Sequence, residues 1–201
     1  MAFFDSEGTN EMMYEVIWHG RGGQGVVVAA QMLAEAAYFE DYKGVTATPT
    51  FGPERRGAPL TASTRISREP IRTFSQILLA DAAVVLDESL LKVVDVAGRV
   101  KKGGLIIVNT TSSAEDLEIG GDCRVAAVDA VCIAMNQHLT KEGAPVVNTP
   151  LLGALAKASG LVSLDNIEKA LKHKLSREHV ARNLAAAKTA YEQTQLRTKL
   201  A

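Results

Sequence analysis

The sequence predicts an α/β fold: a single domain on a mainly parallel sheet flanked by helices, with the C-terminal helices packed on it. Three observations carry this. Short apolar runs of strand length recur at Ala82–Asp87, Leu105–Asn109 and Val125–Asp129, and their near-continuous apolar character suits strands buried on both faces. Segments with helical spacing fall between and after these runs, and β-then-α alternation is the pattern of a parallel sheet. A glycine-rich turn joins the first strand to the first helix.

The 201 residues give room for one domain with a sizeable core. Residues 1–12 read as a loosely held, flexible extension, and 13–195 as the domain. Tyr14-Glu15-Val16-Ile17-Trp18 partly alternates and reads as the first strand. From Val26 to about Glu40, Ala29, Ala30, Leu33, Ala34 and Ala37 recur at helical spacing. Gly44–Thr48 is the second strand, running into Pro49 and Thr50. After a Pro/Gly/Arg-rich loop, Leu60–Ser67 alternates Thr and Ile roughly and reads as a strand with an exposed face. Phe74–Leu79 reads as a short helix or connector, and Glu88–Val96 as a helix. Gly98, Gly103 and Gly104 punctuate the chain before the strand at Leu105, and a helix is expected over Ala130–Leu139. Thr149-Pro150 opens a helix that Gly160 ends. Another runs from about Leu164, with Ser163 as cap, to about Leu175. The last spans Glu178 to about Thr194, with a small-residue stripe at Ala181, Leu184, Ala185, Lys188 and Tyr191 for close packing. The Lys and Arg residues beyond it read as a solvated end.

Gly20, Gly22 and Gly25 satisfy G-x-G-x-x-G where the first strand becomes the first helix. Glycine permits a sharp turn and close approach of a ligand or another backbone. The unpaired N–H groups of the first helical turn then suit a phosphate or carboxylate, and Arg21 adds a full charge. The candidate anion-binding residues are Gly20, Arg21, Gly22, Gly23, Gln24 and Gly25. The same glycines also serve a plain strand-to-helix turn. A Rossmann-like dinucleotide site would carry an acidic residue at the end of the second strand. Here that strand ends in Pro49-Thr50, and Glu40 and Asp41 come before it, which disfavours a conventional NAD site. Asp87, Asn109 and Asp129 stand at strand ends, along the edge where open α/β sheets bind ligands, or simply as caps of the next helices.

Composition excludes several classes. Apolar residues make up 47% and charged residues 22%, and the net charge of −1 implies no general affinity for nucleic acid or an acidic membrane. Cys123 and Cys132 are too few to ligate an iron–sulfur cluster and are not spaced as a zinc site, so no metal site is expected. No apolar run reaches the ~18–20 residues that span a bilayer, and the N-terminus lacks the features of a signal peptide. A cytoplasmic protein with reduced thiols is expected.

Phe51-Gly52-Pro53-Glu54-Arg55-Arg56-Gly57-Ala58-Pro59 is the second unusual stretch. Two prolines stiffen a loop carrying adjacent arginines, whose planar forks suit carboxylate or phosphate. Glu54 can pair with one of them, and a surface ion pair alone is the plainer reading.

Together, Trp18-His19-Gly20-Arg21-Gly22-Gly23-Gln24-Gly25 and Phe51–Pro59 closely resemble the gamma subunit of 2-oxoacid:ferredoxin oxidoreductases, in the form of the pyruvate and branched-chain members. Asn148-Thr149-Pro150-Leu151-Leu152-Gly153-Ala154-Leu155 is similar to a further segment of that family, and the resemblance runs from about Met13 to Tyr191. It implies a complex that converts a 2-oxoacid and coenzyme A to acyl-CoA and CO2 and reduces ferredoxin. Thiamine diphosphate and iron–sulfur clusters are then expected on alpha, beta and ferredoxin-like delta subunits, with no catalytic residue on this chain. The isolated chain is expected to be inactive, with a homodimer open to it. What remains for it is to organise the assembly and contact coenzyme A through the glycine loop, Arg55 and Arg56, or to offer those residues to a partner subunit. The alternatives are a free-standing dinucleotide-binding oxidoreductase and a purely structural assembly module.

Overall fold

The computed structural model describes residues 13–49, 57–73 and 75–197; the extension expected at 1–12 lies outside them. The strands are β1 (Tyr14–Arg21), β2 (Gly44–Pro49), β3 (Pro59–Ser67), β4 (Ala80–Val85), β5 (Val100–Asn109), β6 (Arg124–Val128), β7 (Thr140–Lys141), β8 (Ala144–Pro145) and β9 (Gln195–Leu196). β7 and β8 pair separately, and the main sheet has the order β2-β3-β1-β4-β5-β6-β9. β1, β4, β5 and β6 are successive parallel neighbours. β3 is antiparallel to both β1 and β2, so β2 runs in the same direction as β1 across it.

The helices are α1 (Val26–Phe39), α2 (Ala130–Asn136), α3 (Asn148–Ser159), α4 (Leu164–Lys174) and α5 (Arg177–Gln193). They share one apolar core with the sheet face that carries Val16, Trp18, Val84 and Ile107. The alternate residues Ala83, Val85, Ile106 and Val108 form a second core, closed by Leu90, Val96, Ala114, Leu117 and Ile119. Both faces of the central strands are thus buried, which explains their unbroken apolar runs. On the first side, Trp18 Nε1 donates to Thr64 Oγ1 (3.1 Å) and Thr64 Oγ1 to the Ala30 carbonyl (2.9 Å), tying β1, β3 and α1 together.

The end of α3 and the start of α4 follow the sequence signals, whereas α2 stops at Asn136, short of the Leu139 expected. Ser163 caps α4 by accepting from the Asn166 amide, and Gly160 ends α3 at φ 67. Four further expectations are corrected. The stretch after β4 is only a 3-10 helix at Glu88–Lys92, opened by the Asp87 carboxylate accepting from the Ser89 amide, followed by another at Ala97–Arg99. Leu60–Ser67 carries no exposed strand face: it lies inside the sheet as β3, buried from Thr64 to Ser67. The buried stripe of α5 is Val180, Asn183, Ala186, Ala187 and Ala190, one position off the expected one. The chain end is not all solvated. Arg197 donates to the carbonyls of Ala114 (3.1 Å), Ile119 (3.3 Å) and Leu117, and its amide bonds the Val125 carbonyl (2.8 Å) beside β9.

Candidate functional site

The ends of β1 and β4 are adjacent and parallel. From β1 the chain leaves through α1 toward β2 on one side, and from β4 it leaves toward β5 on the other. This is the point of an open α/β sheet where the connections diverge, the place where such sheets bind ligands. The glycine loop lies there.

Each glycine has a local reason. A Cβ on Gly20 would sit 2.5 Å from Val26 Cγ2 and 3.3 Å from Leu86 Cβ, so glycine lets α1 begin close against β1 and β4. Gly25, at φ +78, is the residue before the first turn of α1, with Asn148 Nδ2 3.0 Å from where its Cβ would stand. α1 has no side-chain cap and no acidic residue in its first turn. Its positive end therefore carries no carboxylate of its own.

Two other segments close on this loop. The Gly22 amide donates to the Ala58 carbonyl (3.0 Å) and the Gly57 amide to the Gly22 carbonyl (3.3 Å). The root of the Pro/Arg-rich loop is thus stitched to the glycine loop. Arg55 and Arg56 themselves lie outside the described residues.

From the other side, Arg21 Nε donates to Asp87 Oδ2 (2.9 Å), Nη2 to Ser89 Oγ (2.8 Å) and Nη1 to the Gly57 carbonyl (3.0 Å). Asp87 also accepts from Gln24 Nε2 (3.4 Å), the Ser89 amide (3.0 Å) and Ser89 Oγ (2.5 Å). Gln24 Oε1 in turn accepts from the Arg21 amide (2.7 Å). Burial pushes the Asp87 carboxyl up, but hydrogen bonds from Ser89 and Arg21 outweigh it and hold it below its ordinary value. Asp87 therefore stays ionised, and Arg21 is committed to it. The sequence put Arg21 and Asp87 near one edge without pairing them, because they lie 66 residues apart.

The other strand-end residues are structural ties. Asn109 donates to the Leu86 carbonyl (2.9 Å) and accepts from the Ala130 amide (2.9 Å), and Asp129 caps α2 through the Cys132 amide (2.8 Å). Thr110 Oγ1 donates to Glu88 Oε2 (2.6 Å). The Asn148–Leu155 segment serves packing as well. Thr149 Oγ1 donates to Asn183 Oδ1 (2.8 Å), and a Cβ on Gly153 would stand 2.1 Å from the Ala187 carbonyl of α5.

His19, one residue before the loop, is a feature that sequence reasoning passed over. It is 1% exposed, and neither ring nitrogen has a hydrogen-bond partner among the described residues. Burial, with a smaller contribution from Arg99, pulls its pKa from 6.5 down to about 4, so the imidazole is neutral at physiological pH. Its position in the motif was visible; its burial depends on long-range packing.

Among the described residues, no group of three or more His, Cys, Asp and Glu is placed to hold a metal ion, and no helix is long and apolar enough to cross a membrane.

The family described as pyruvate ferredoxin/flavodoxin oxidoreductase matches residues 15–193. The chain is 49% identical over 187 residues to the pyruvate/ketoisovalerate oxidoreductases common subunit gamma of Pyrococcus abyssi, covering 92% of this chain and 98% of that one. Two crystal structures are similar. The pyruvate oxidoreductase subunit PORC of Thermotoga maritima shares 34% identity at a TM-score of 0.77, covering 93% of this chain and 99% of that one. The keto/oxoacid ferredoxin oxidoreductase gamma subunit of Geobacter sulfurreducens shares 28% at a TM-score of 0.73, covering 90% and 96%. With the family model matching residues 15–193 and these relatives covering nine-tenths or more of it, the chain belongs to the pyruvate ferredoxin/flavodoxin oxidoreductase family and is of its gamma-subunit type.

Proposed function

We propose that this chain is the non-redox gamma subunit of a cytoplasmic 2-oxoacid:ferredoxin oxidoreductase of pyruvate or branched-chain type, and that its glycine loop and Arg55 and Arg56 contact coenzyme A. The complex oxidatively decarboxylates the 2-oxoacid, forms the acyl-CoA and passes electrons to ferredoxin. Thiamine diphosphate and the iron–sulfur clusters belong to alpha, beta and delta partners.

One observation carries the coenzyme A part. The glycine loop that leads into the uncapped start of α1 is hydrogen-bonded to the root of the arginine loop, beside the carboxyl ends of β1 and β4. Amides at a helix start suit the phosphates of coenzyme A, and the two arginines that the sequence places in the adjoining loop offer planar forks for the same groups. The chain's part in the reaction is to bind and orient that anion; the acyl transfer itself takes place beside the thiamine on another subunit. Substituting Arg55→Ala and Arg56→Ala in the assembled complex should raise KM for coenzyme A about tenfold or more, the scale of a lost charge-assisted contact, with acceptor kinetics nearly unchanged.

A second reading places an acidic loop of a partner subunit at the same loops, since its charge requirements are identical. In that case the arginine variants lose assembly instead.

A further inference from the structure

We propose that Asp87 is a positioning residue for coenzyme A binding. Through Arg21 it forms a crossbar that fixes the glycine loop and the root of the arginine loop, and Arg21 acts through this crossbar rather than by touching the anion. The inference rests on the proposed contact of these loops with coenzyme A.

The geometry assigns the role. All three guanidinium nitrogens of Arg21 have acceptors: Asp87 Oδ2, Ser89 Oγ and the Gly57 carbonyl. Those acceptors come from two segments separate from Arg21's own, the turn after β4 and the end of the Pro/Arg-rich loop. One carboxylate gathers Arg21, Gln24 and Ser89. The loop after β1 is thereby held from both ends, at Arg21 and at Gln24, against the turn after β4. Gly57, held by Arg21, directly follows Arg55 and Arg56 in the chain. A cation so committed contributes little free charge to a ligand, because Asp87 already neutralises it. What it contributes is a fixed loop, and ligand affinity gains when the ordering cost is met before binding.

This separates two roles of Arg21 by the sign of one effect. Asp87→Asn removes the negative charge and turns an amide toward Arg21 or Ser89. If Arg21 is a crossbar, the loop loosens and KM for coenzyme A in the assembled complex rises about tenfold, with kcat and the acceptor KM unchanged. If Arg21 meets the anion directly, Asp87→Asn frees its charge and the coenzyme A KM falls, which overturns the proposal. An unchanged KM overturns it too, as does a parallel loss of kcat and acceptor affinity, which marks general damage. Ser89→Ala, which keeps the charge pair and removes one contact to each partner, should raise the coenzyme A KM about threefold. It carries the test if Asp87→Asn complexes fail to assemble, and no change in it then refutes the crossbar. The Arg55 and Arg56 variants are measured in parallel. If they raise the KM while Asp87→Asn leaves it alone, the crossbar fails and the site stands. If none of the variants moves it, the coenzyme A reading fails as well.

Discussion

His19 makes the stability of this fold depend on pH in a window where most side chains are silent. Its imidazole is 1% exposed and unpaired among the described residues, and its pKa falls from 6.5 to about 4. Above pH 6.5 the ring is neutral whether the chain is folded or not, and His19 adds no pH dependence. As pH falls from 6.5 toward 4 the unfolded chain takes up a proton that the folded chain refuses, so unfolding is favoured progressively. The gap, at about 1.4 kcal/mol per pH unit, amounts to about 3 kcal/mol by pH 4. Carboxylates also titrate toward the bottom of this range, so the comparison is with His19→Leu, which fills a similar volume and cannot ionise. Urea denaturation of both proteins at intervals from pH 7.5 to 4 should show the wild type losing about 3 kcal/mol more than the variant. The variant itself is expected to be at least as stable as the wild type at low pH, since it buries no unpaired nitrogen. Parallel curves would mean that His19 is solvated or hydrogen-bonded in solution and contributes no such pH dependence.

Two further variants test the packing that carries the site. Gly153→Ala would drive a methyl into the Ala187 carbonyl, at 2.1 Å from backbone that no rotamer change can move. The helix-propensity gain of about 1 kcal/mol should be overwhelmed, for a net loss of about 2 kcal/mol in urea, and a stabilised variant would contradict the α3–α5 contact. Arg197→Ala removes the donor that bonds the carbonyls of Ala114, Leu117 and Ile119. It should cost about 2 kcal/mol and speed amide exchange over residues 114–119, and unchanged exchange there would count against this role.

How much of this was legible in the sequence depended on the range of the cause. β4, β5 and β6 could be read directly, because burial on both faces leaves an apolar run in the strand itself. The start and end of α3 and the start of α4 were equally local, signalled by Pro150, Gly160 and Ser163. β3 was found as a strand, but its place between β2 and β1 comes from pairings across the chain that alternation does not encode. The register of α5 was missed by one position because its alanines offer nearly equal faces to any partner. In the site, the glycines announced themselves through turn chemistry. Arg21 did not announce its partners: Asp87 and Ser89 lie 66 and 68 residues away, and only the sheet brings them together. The same holds for His19, whose burial is decided by residues on other strands, and for Arg197, which looked like one more terminal cation.

Whether this subunit helps hold coenzyme A through the loops at the ends of β1 and β4 is decided by titrating coenzyme A calorimetrically into the assembled complex, wild type against Arg55→Ala/Arg56→Ala. The complex should stay assembled and Kd should rise about tenfold or more. An intact variant complex that binds coenzyme A as tightly as the wild type would contradict this role for the subunit.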